Sequence, residues 1–215
     1  MRPLLLDLFC GAGGAAKGYH DAGFDVIGVD INPQPRYPYE FHQDDALGWF
    51  RWLRLMGTRM DAIHASPPCQ SESSLRHRTG VKYADLLTPT LEMLSRLSVP
   101  WVIENVASTA KLPGSLVLCG TEFGLHAQDR WLKRHRRFAS NVFLAGAAGC
   151  NCTGRRIGGV YGTGGRGAMT RGYKFHLADA RTAMGIDWMT GKELSQAIPP
   201  AYTRFIGAQL IGHLS

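Results

Sequence analysis

The sequence predicts an α/β fold in which helices cover both faces of a mostly parallel sheet. Short apolar runs alternate with segments of helical periodicity, and a glycine-rich turn joins the first run to the first helical segment. Polar side chains directly follow several of the runs, as they do at the functional edge of open α/β sheets. The 215 residues suit one compact domain with a small elaboration, and its core needs no disulfide or metal to fold.

The first βα unit carries a glycine-rich turn. The apolar run 4–9 leads into Cys-Gly-Ala-Gly-Gly at 10–14, and an alanine-rich helical segment follows. The second run, 26–29, ends in Asp30, which follows Gly11 by 19 residues, close to the ~20 typical of an acid that binds ribose hydroxyls. The turn has the spacing G-x-G-G and not the G-x-G-x-x-G of dinucleotide sites. S-adenosylmethionine, which has a ribose but no phosphate, therefore suits this turn better than a pyrophosphate ligand.

A third run at 39–42 precedes Asp44 and Asp45. An acid here is suited to accept a hydrogen bond from an adenine amino group, and equally to cap the helix predicted over 46–55. Both roles remain open. The side chains predicted to form the buried face of this helix are Leu47, Phe50, Trp52 and Leu55.

Two later strand ends carry candidate catalytic groups. The run 62–65 is followed by Ser-Pro-Pro-Cys-Gln, whose prolines fix the backbone before Cys69, a candidate nucleophile. The run 101–103 is followed by Glu104, an acid whose burial would raise its pKa and suit it to donate a proton. Each residue alone has an ordinary structural explanation, but together they favour catalysis.

The remaining segments predict a loop and three further helical stretches. The polar residues 71–80 predict a mobile loop that closes over a substrate. Leucines at helical spacing between 86 and 97 predict a helix beneath it, and 181–188 and 194–210 predict closing helical segments.

The charge of the chain favours a polyanionic partner. The formal net charge is +7, the sequence pI is about 9.4, and the basic residues are clustered. One cluster is 76–82, the second is 133–137, and the third comprises Arg155, Arg156, Arg166, Arg171 and Lys174. This pattern predicts phosphate contacts with a nucleic acid.

The cysteines predict a reducing, cytoplasmic compartment, since five is an odd count without a disulfide framework spacing and no signal peptide precedes them. Cys150 and Cys152, with His176, suggest zinc. The C-x-C spacing is not that of a zinc finger, however, and a fourth ligand is not obvious. Small residues in a turn are the preferred interpretation, and no metal is predicted.

Several motifs occur in the order seen in cytosine-C5 DNA methyltransferases. They are Asp-Leu-Phe-Cys-Gly-Ala-Gly-Gly at 7–14, Pro-Pro-Cys-Gln at 67–70, Glu-Asn-Val at 104–106 and Arg-His-Arg at 134–136. Gln-Ala-Ile-Pro-Pro at 196–200 resembles the last motif of that family. The similarity runs from Leu4 to Leu210, and the cysteine and glutamate motifs are specific. The resemblance implies a Rossmann-like S-adenosylmethionine-dependent methyltransferase fold with a small target-recognition segment.

The chain departs from the family pattern at three places. Leu132 stands where a glutamine is usual, Ser195-Gln196 stands where Gly-Asn is usual, and a short basic segment replaces a large target-recognition domain. The predicted organisation is a catalytic and cofactor-binding core at 1–143, a reduced target-recognition segment at 144–176 and a return to the core at 177–215.

The resemblance implies a role for each of these positions. The catalytic residues would be Cys69, Glu104, Arg134 and Arg136, with Arg136 favouring the thiolate form of Cys69. The residues implied to bind S-adenosylmethionine are Phe9, Gly11, Ala12, Gly13, Gly14, Asp30, Ile31, Asp45, Ala46, Pro68, Ala197 and Ile198. The residues expected to contact nucleic acid are Gln70, Ser71, Arg76, Arg78, Asn105, Arg155, Arg156 and Arg166.

The predicted function is methylation of carbon 5 of a flipped cytosine in double-stranded DNA, without a membrane partner. Methylation of cytosine in RNA is the first alternative, although the Cys-Phe-Thr motif of the tRNA-methylating branch is not found. A catalytically silent nucleic-acid-binding subunit is the second, and retention of Cys69 and Glu104 argues against it. A nicotinamide-dependent oxidoreductase is a distant third, because its fingerprint is incomplete.

Overall fold

The computed structural model describes residues 1–68, 85–109, 112, 114–162 and 173–214. The strands are β1 (Leu4–Leu8), β2 (Asp25–Asp30), β3 (Glu40–Gln43), β4 (Ala62–Ala65), β5 (Trp101–Val106), β6 (Leu116–Leu118), β7 (His126–Ala127), β8 (Arg130–Leu132), β9 (Arg136–Ser140), β10 (Ile157–Gly159) and β11 (Tyr173–Lys174). The helices are α1 (Gly14–Ala22), α2 (Ala46–Leu55), α3 (Leu87–Leu94), α4 (Leu177–Met184), α5 (Gly191–Gln196) and α6 (Pro200–Leu214), with a 3₁₀ helix at Gly120–Phe123.

The main sheet has the strand order β3-β2-β1-β4-β5-β9-β6. The strands from β3 to β5 pair in parallel, whereas β9 runs antiparallel to both of its neighbours. The strand order reverses between β1 and β4, so a crevice opens there beyond the carboxyl ends of the strands. The predicted mostly parallel α/β fold is therefore confirmed.

A smaller sheet has the order β11-β10-β8-β7. It shares a buried cluster with α4, α5 and the segment between them, in which Leu132, Phe175, Met184 and Leu194 are packed together. Strands from both sides of residue 144 therefore contribute to this sheet. The division into three segments stays a prediction.

Helix α6 returns to the main sheet and packs closely on α1. Leu5, Ile206 and Leu210 belong to one buried cluster on this face, and the Thr203 hydroxyl donates to Ala15 O at 2.9 Å. A Cβ atom on Gly18 would lie 2.0 Å from Thr203 Oγ1, so the two helices approach each other where α1 has no side chain.

The predicted buried face of α2 was wrong, and the boundaries of several elements differ from those predicted. In α2, Trp52 and Leu55 are exposed, and Leu53 is buried together with Leu47 and Phe50. Apolar residues occur on more than one side of α2, and the side that is buried is the one that packs against the sheet. Strand β5 continues to Val106, so Glu104 is a strand residue, and the closing helical segments form three helices where two were predicted.

Within the described ranges, no helix has the length and apolar character needed to cross a membrane.

Candidate active site

Three buried polar side chains lie on one face of the main sheet, near the point where the strand order reverses. Asp7, His64 and Glu104 come from β1, β4 and β5, and none is more than 6% exposed. Because side chains alternate along a strand, they share a face with Leu5, Ala62 and Val102, the face that α1 and α6 cover. Polar groups in such a position require specific partners.

A hydrogen-bonded chain of side chains leads to Glu104. The Tyr19 hydroxyl lies 2.9 Å from His64 Nδ1, and His64 Nε2 lies 2.8 Å from Ser66 Oγ. Burial lowers the pKa of His64 to about 3, so the ring is neutral and carries one proton. The Ser66 hydroxyl bonds to the Glu104 carboxyl. These contacts join Tyr19, His64, Ser66 and Glu104 in one buried chain of hydrogen-bonding groups.

Glu104 lies on the wall of a cavity beside Arg136. Its Oε1 lies 3.0 Å from Arg136 Nε as an ion pair, but it accepts no hydrogen bond, and the side chain lines a cavity. Burial raises the pKa of Glu104, and the charges of Arg136 and Arg134 oppose this rise. A buried carboxyl with a raised pKa on a cavity wall is equipped to hydrogen-bond, or to protonate, a polar atom of a substrate.

Arg134 is buried and acts as a brace. Its Nε donates to Ala197 O at 2.9 Å, Nη1 donates to Val160 O at 3.1 Å and Nη2 donates to Ser195 O at 3.0 Å. The Arg134 carbonyl accepts the Tyr202 hydroxyl at 2.6 Å. Arg134 does not line the cavity, so it positions the segment before α6 and leaves the contact with Glu104 to Arg136.

The cavity holds about 520 Å³ and opens at the crevice predicted for a nucleoside. Eleven of the twelve residues predicted to bind the cofactor line it: Phe9, Gly11, Ala12, Gly14, Asp30, Ile31, Asp45, Ala46, Pro68, Ala197 and Ile198. Gly13 does not line it. Gly13 caps α1 at φ 85°, and a Cβ there would meet Pro38 Cδ at 2.7 Å, so packing explains this glycine better than ligand approach.

The turn after β1 has the shape expected of a ligand cradle. Phe9 has a φ of 58°, which is uncommon for a residue with a side chain and costs on the order of 1–3 kcal/mol. A Cβ on Gly11 would meet nothing within 4 Å, so the space beside it is open. Asp30 fixes the turn, since Oδ2 accepts from Gly11 N at 3.0 Å and Oδ1 accepts from Asn32 N at 2.9 Å. The carboxylate keeps lone pairs for hydroxyl donors, such as those of a ribose.

Asp45 both caps a helix and lines the cavity. Its Oδ2 accepts from Gly48 N at 2.8 Å, which is an N-cap of α2, and the residue lies on the cavity wall. The capping role is therefore observed, and the contact with an adenine amino group stays a prediction.

A substitution at Gly14 tests how closely residues 197–198 of the last motif pack against α1 at the cavity. A Cβ atom there would lie 2.5 Å from Ile198 O, so Gly14→Ala should push residues 197–198 away. Although alanine favours a helix, we expect Gly14→Ala to lower the free energy of unfolding by about 1–3 kcal/mol and to weaken cofactor binding. Urea unfolding and calorimetric titration with S-adenosylmethionine measure the two effects.

Gly212→Ala is the matched control, because a Cβ on Gly212 in α6 would meet nothing within 4 Å. It should leave cofactor binding unchanged and stabilise the protein by about 0.5–1 kcal/mol. A Gly14→Ala variant that behaved like this control would contradict the packing.

Cys69, the predicted nucleophile, lies outside the described residues, as do Gln70, Ser71, Arg76 and Arg78. The chain directly before them is described: Pro67 and Pro68 line the cavity, and Asn105 Nδ2 donates to Pro67 O at 3.0 Å. Asn105 is buried and braces the proline turn, which differs from the nucleic-acid contact predicted for it. Cys10 also lines the cavity, but burial, Asp7 and Asp30 raise the pKa of its thiol, so it is a poor nucleophile.

The second basic cluster largely serves the fold. Besides Arg134 and Arg136, Arg137 is also used internally, with Nη1 donating to Ser115 Oγ at 2.9 Å and Nη2 donating to Ala107 O at 3.2 Å. These guanidinium groups satisfy groups inside the fold, whereas Lys133 is exposed, and the phosphate contacts expected of this cluster stay a prediction.

The third cluster is only partly described, because Arg166 and Arg171 lie outside the described residues. Arg155 lies over the Trp131 ring, 3.9 Å from its centroid, and the exposed Arg156 pairs with Asp129. Their contact with nucleic acid stays a prediction.

Sequence reasoning missed Tyr19, His64 and Ser66. A histidine inside the apolar run 62–65 was the available signal, since a buried histidine requires partners for both ring nitrogens. Its partners lie 45 residues before it and two after it, a combination that spacing alone does not reveal.

Comparisons with known proteins agree with this geometry. A family model described as C-5 cytosine-specific DNA methylase matches residues 4–112. The Type II methyltransferase M.HgiGI of Herpetosiphon aurantiacus is 28% identical over 116 residues, which cover 50% of this chain and 92% of that protein. M.HgiDI of the same organism is also 28% identical over 116 residues, but the chain spans only 38% of its length.

Two solved structures show the same fold. The S. pombe Dnmt2 methyltransferase aligns over 100% of both chains with a TM-score of 0.60 and 12% identity. The Entamoeba histolytica methyltransferase EhMeth aligns over 100% of this chain and 99% of its own, with a TM-score of 0.61 and 11% identity. The predicted Rossmann-like methyltransferase fold is therefore confirmed. Since the family model matches half of the sequence and its motifs meet at one cavity, the chain belongs to the C-5 cytosine-specific DNA methylase family.

Proposed function

We propose that this protein transfers a methyl group from S-adenosylmethionine to carbon 5 of a flipped cytosine in double-stranded DNA, through a covalent adduct with Cys69. The observation that carries the proposal is the placement of Glu104. Its buried carboxyl, which pairs with Arg136, lines the same cavity as the glycine turn, Asp30 and the proline turn that precedes Cys69.

Different residues of the chain would carry out different steps of the reaction. The Cys69 thiolate attacks carbon 6 of cytosine, which breaks the aromaticity of the ring and makes carbon 5 nucleophilic. Glu104 hydrogen-bonds to or protonates ring nitrogen 3 and stabilises the charge that develops there. Arg136 and the chain from Tyr19 through Ser66 hold Glu104 in place. Bound in the cavity, S-adenosylmethionine would supply the methyl group and leave as S-adenosylhomocysteine. Loss of the carbon-5 proton to a base then breaks the bond between Cys69 and carbon 6 and restores the aromatic ring.

Different residues of the cavity wall would hold the different parts of S-adenosylmethionine. Asp30 would bind the ribose hydroxyls and Asp45 the adenine amino group, while Phe9, Ile31 and Ile198 supply apolar surface. The close contact of Gly14 with Ile198 O makes the last motif one wall of the site.

The substrate is double-stranded DNA and the compartment is the cytoplasm. A cytosine ring stacked in a duplex cannot reach Cys69, so the base must leave the helix at a cost of a few kcal/mol. The basic residues after Cys69 and in the third cluster would offset this cost through phosphate contacts. Binding should therefore weaken with salt by a slope of ~0.9 per phosphate contact on logarithmic scales.

A covalent trap tests the proposal. DNA carrying 5-fluorocytosine cannot lose the substituent at carbon 5, so incubation with S-adenosylmethionine should yield an adduct that survives denaturing electrophoresis. We expect Cys69→Ser to abolish the adduct and Cys10→Ser to retain it, because the Cys10 thiol is held protonated.

The other outcomes separate the alternatives. An adduct on RNA but not on DNA would favour the RNA enzyme. Binding of DNA without any adduct would favour a silent subunit and overturn the proposal.

A further inference from the structure

Four potential metal ligands that are far apart in the sequence meet at the edge of the main sheet. Cys119, His135, Cys150 and Cys152 each offer one ligand atom, and these atoms all lie within 4.8 Å of one another. Cys119 follows β6, His135 precedes β9, and the other two belong to the loop after β9. The cluster lies apart from the cofactor cavity, which none of the four residues lines.

We propose that Cys119, His135, Cys150 and Cys152 bind a structural zinc ion. Three thiolates and one imidazole form a Cys₃His set, one of the common combinations in structural zinc sites. Four protein ligands complete a tetrahedron and leave no open position, so the ion would have a structural and not a catalytic role.

The distances suit such an ion. Zinc–sulfur bonds of about 2.3 Å in a tetrahedron separate neighbouring ligand atoms by about 3.5–3.8 Å. Cys119 Sγ lies 3.4 Å from Cys152 Sγ, and His135 Nε2 lies 3.2 Å from Cys150 Sγ. A disulfide has a sulfur–sulfur distance of about 2.0 Å, and all four cysteines in the described part of the chain are free thiols.

Groups around the cluster support thiolate ligands and order the loop. The Thr121 hydroxyl lies 3.8 Å from Cys150 Sγ as a donor, and its oxygen accepts from Asn151 N at 3.1 Å. With its amide oriented to satisfy both groups, Asn151 accepts from Arg155 Nε at 3.3 Å. Such outer contacts commonly orient metal ligands.

This cluster was not predicted from the sequence, because its ligands are far apart in the chain. The C-x-C pair was read with His176, which lies at the start of α4 and is not one of the four clustered residues. The two other ligands precede the pair by 15 and more residues, and only the pairing of β6 with β9 brings them together.

The proposed ion would connect the loop after β9 to the arginines of the active site. His135 lies between Arg134, which braces residues 195–197, and Arg136, which pairs with Glu104. The same loop positions Arg155 over Trp131. Metal binding would thus stabilise the loop after β9 and its connection to the edge of the main sheet.

Metal analysis of the full chain, purified under reducing conditions with zinc present, tests the proposal. We expect about one zinc ion per chain by mass spectrometry. Replacement by Co²⁺ should give the visible absorption of a tetrahedral site together with thiolate-to-cobalt charge-transfer bands. Cys150→Ser and Cys152→Ser should reduce the bound metal to background, and a zinc chelator should lower the Tm of the unmodified protein but not that of these variants.

His176→Ala is the matched control and should keep its zinc, since His176 is the ligand that sequence spacing alone would choose. The cobalt spectrum of the unmodified protein reports ligand type even if a variant fails to fold. Absence of stoichiometric zinc in the reduced protein, loss of zinc in His176→Ala, or a cobalt spectrum without thiolate bands would overturn the proposal. A Cys119–Cys152 disulfide in metal-free protein that resists mild reduction would also overturn it.

Discussion

Replacing Glu104 by glutamine should lower kcat for methyl transfer by about 10²–10⁴-fold, the usual contribution of a positioned general acid. Glutamine has nearly the same shape and can still accept from Ser66, so the fold should persist. It cannot, however, donate a carboxyl proton to the cytosine ring. Single-turnover methylation with labelled S-adenosylmethionine measures the effect, and calorimetric titration should show unchanged cofactor affinity.

The pH dependence of the methylation rate is a second measurement of the role of Glu104. Burial raises the pKa of Glu104, so its protonated form persists to higher pH than that of an exposed glutamate, and the rate should fall as pH rises through this raised pKa. Glu104→Gln should lose that descending limb. Glu92→Gln, an exposed glutamate in α3, is the control and should keep both rate and profile. A Glu104→Gln variant with the unmodified rate and profile would show that this carboxyl does not take part in catalysis.

Arg134→Met should lower the free energy of unfolding by about 3 kcal/mol. The substitution keeps much of the side-chain volume but leaves the carbonyls of Val160, Ser195 and Ala197 without their guanidinium donor, at about 1–3 kcal/mol for each buried unpaired group. Urea unfolding measures the loss. Because residues 195–197 line the cavity, affinity for S-adenosylmethionine should fall as well.

Arg204→Met in α6 is the matched control for this loss. Arg204 is exposed, so its replacement should change the free energy of unfolding by no more than about 0.5 kcal/mol. Equal stability of the Arg134 and Arg204 variants would refute the bracing role of Arg134.

Features that depend on local sequence were predictable. Strand β4 occupies the predicted residues 62–65, and the glycine turn and Asp30 meet as expected, because a βα unit brings residues about 20 apart to one sheet edge. The last motif was placed at the cofactor cavity by family resemblance, and Ala197 and Ile198 line it. The buried face of α2 was wrong at Trp52 and Leu55, since apolar composition does not specify which side of a helix the sheet will cover.

The residues that hold the site together were not predictable in the same way. Arg134 was expected to be catalytic and Asn105 to contact nucleic acid, yet both bind backbone carbonyls. A motif reports which residue types a family uses, but it does not distinguish a group that touches the substrate from one that supports it. That distinction depends on burial and on the direction of each hydrogen bond.

By itself, the sequence determined the family, the α/β fold, the glycine turn after the first strand and the candidate pair Cys69 and Glu104. Each of these is encoded by residues that are close together in the sequence, in or directly after an apolar run. Only the tertiary structure decided that a neutral His64 supports Glu104 through Ser66, that Arg134 braces the last motif, and that four distant ligands converge at the sheet edge. These arrangements join segments that are remote in the chain, and strand pairing and burial, not local pattern, bring them within bonding distance.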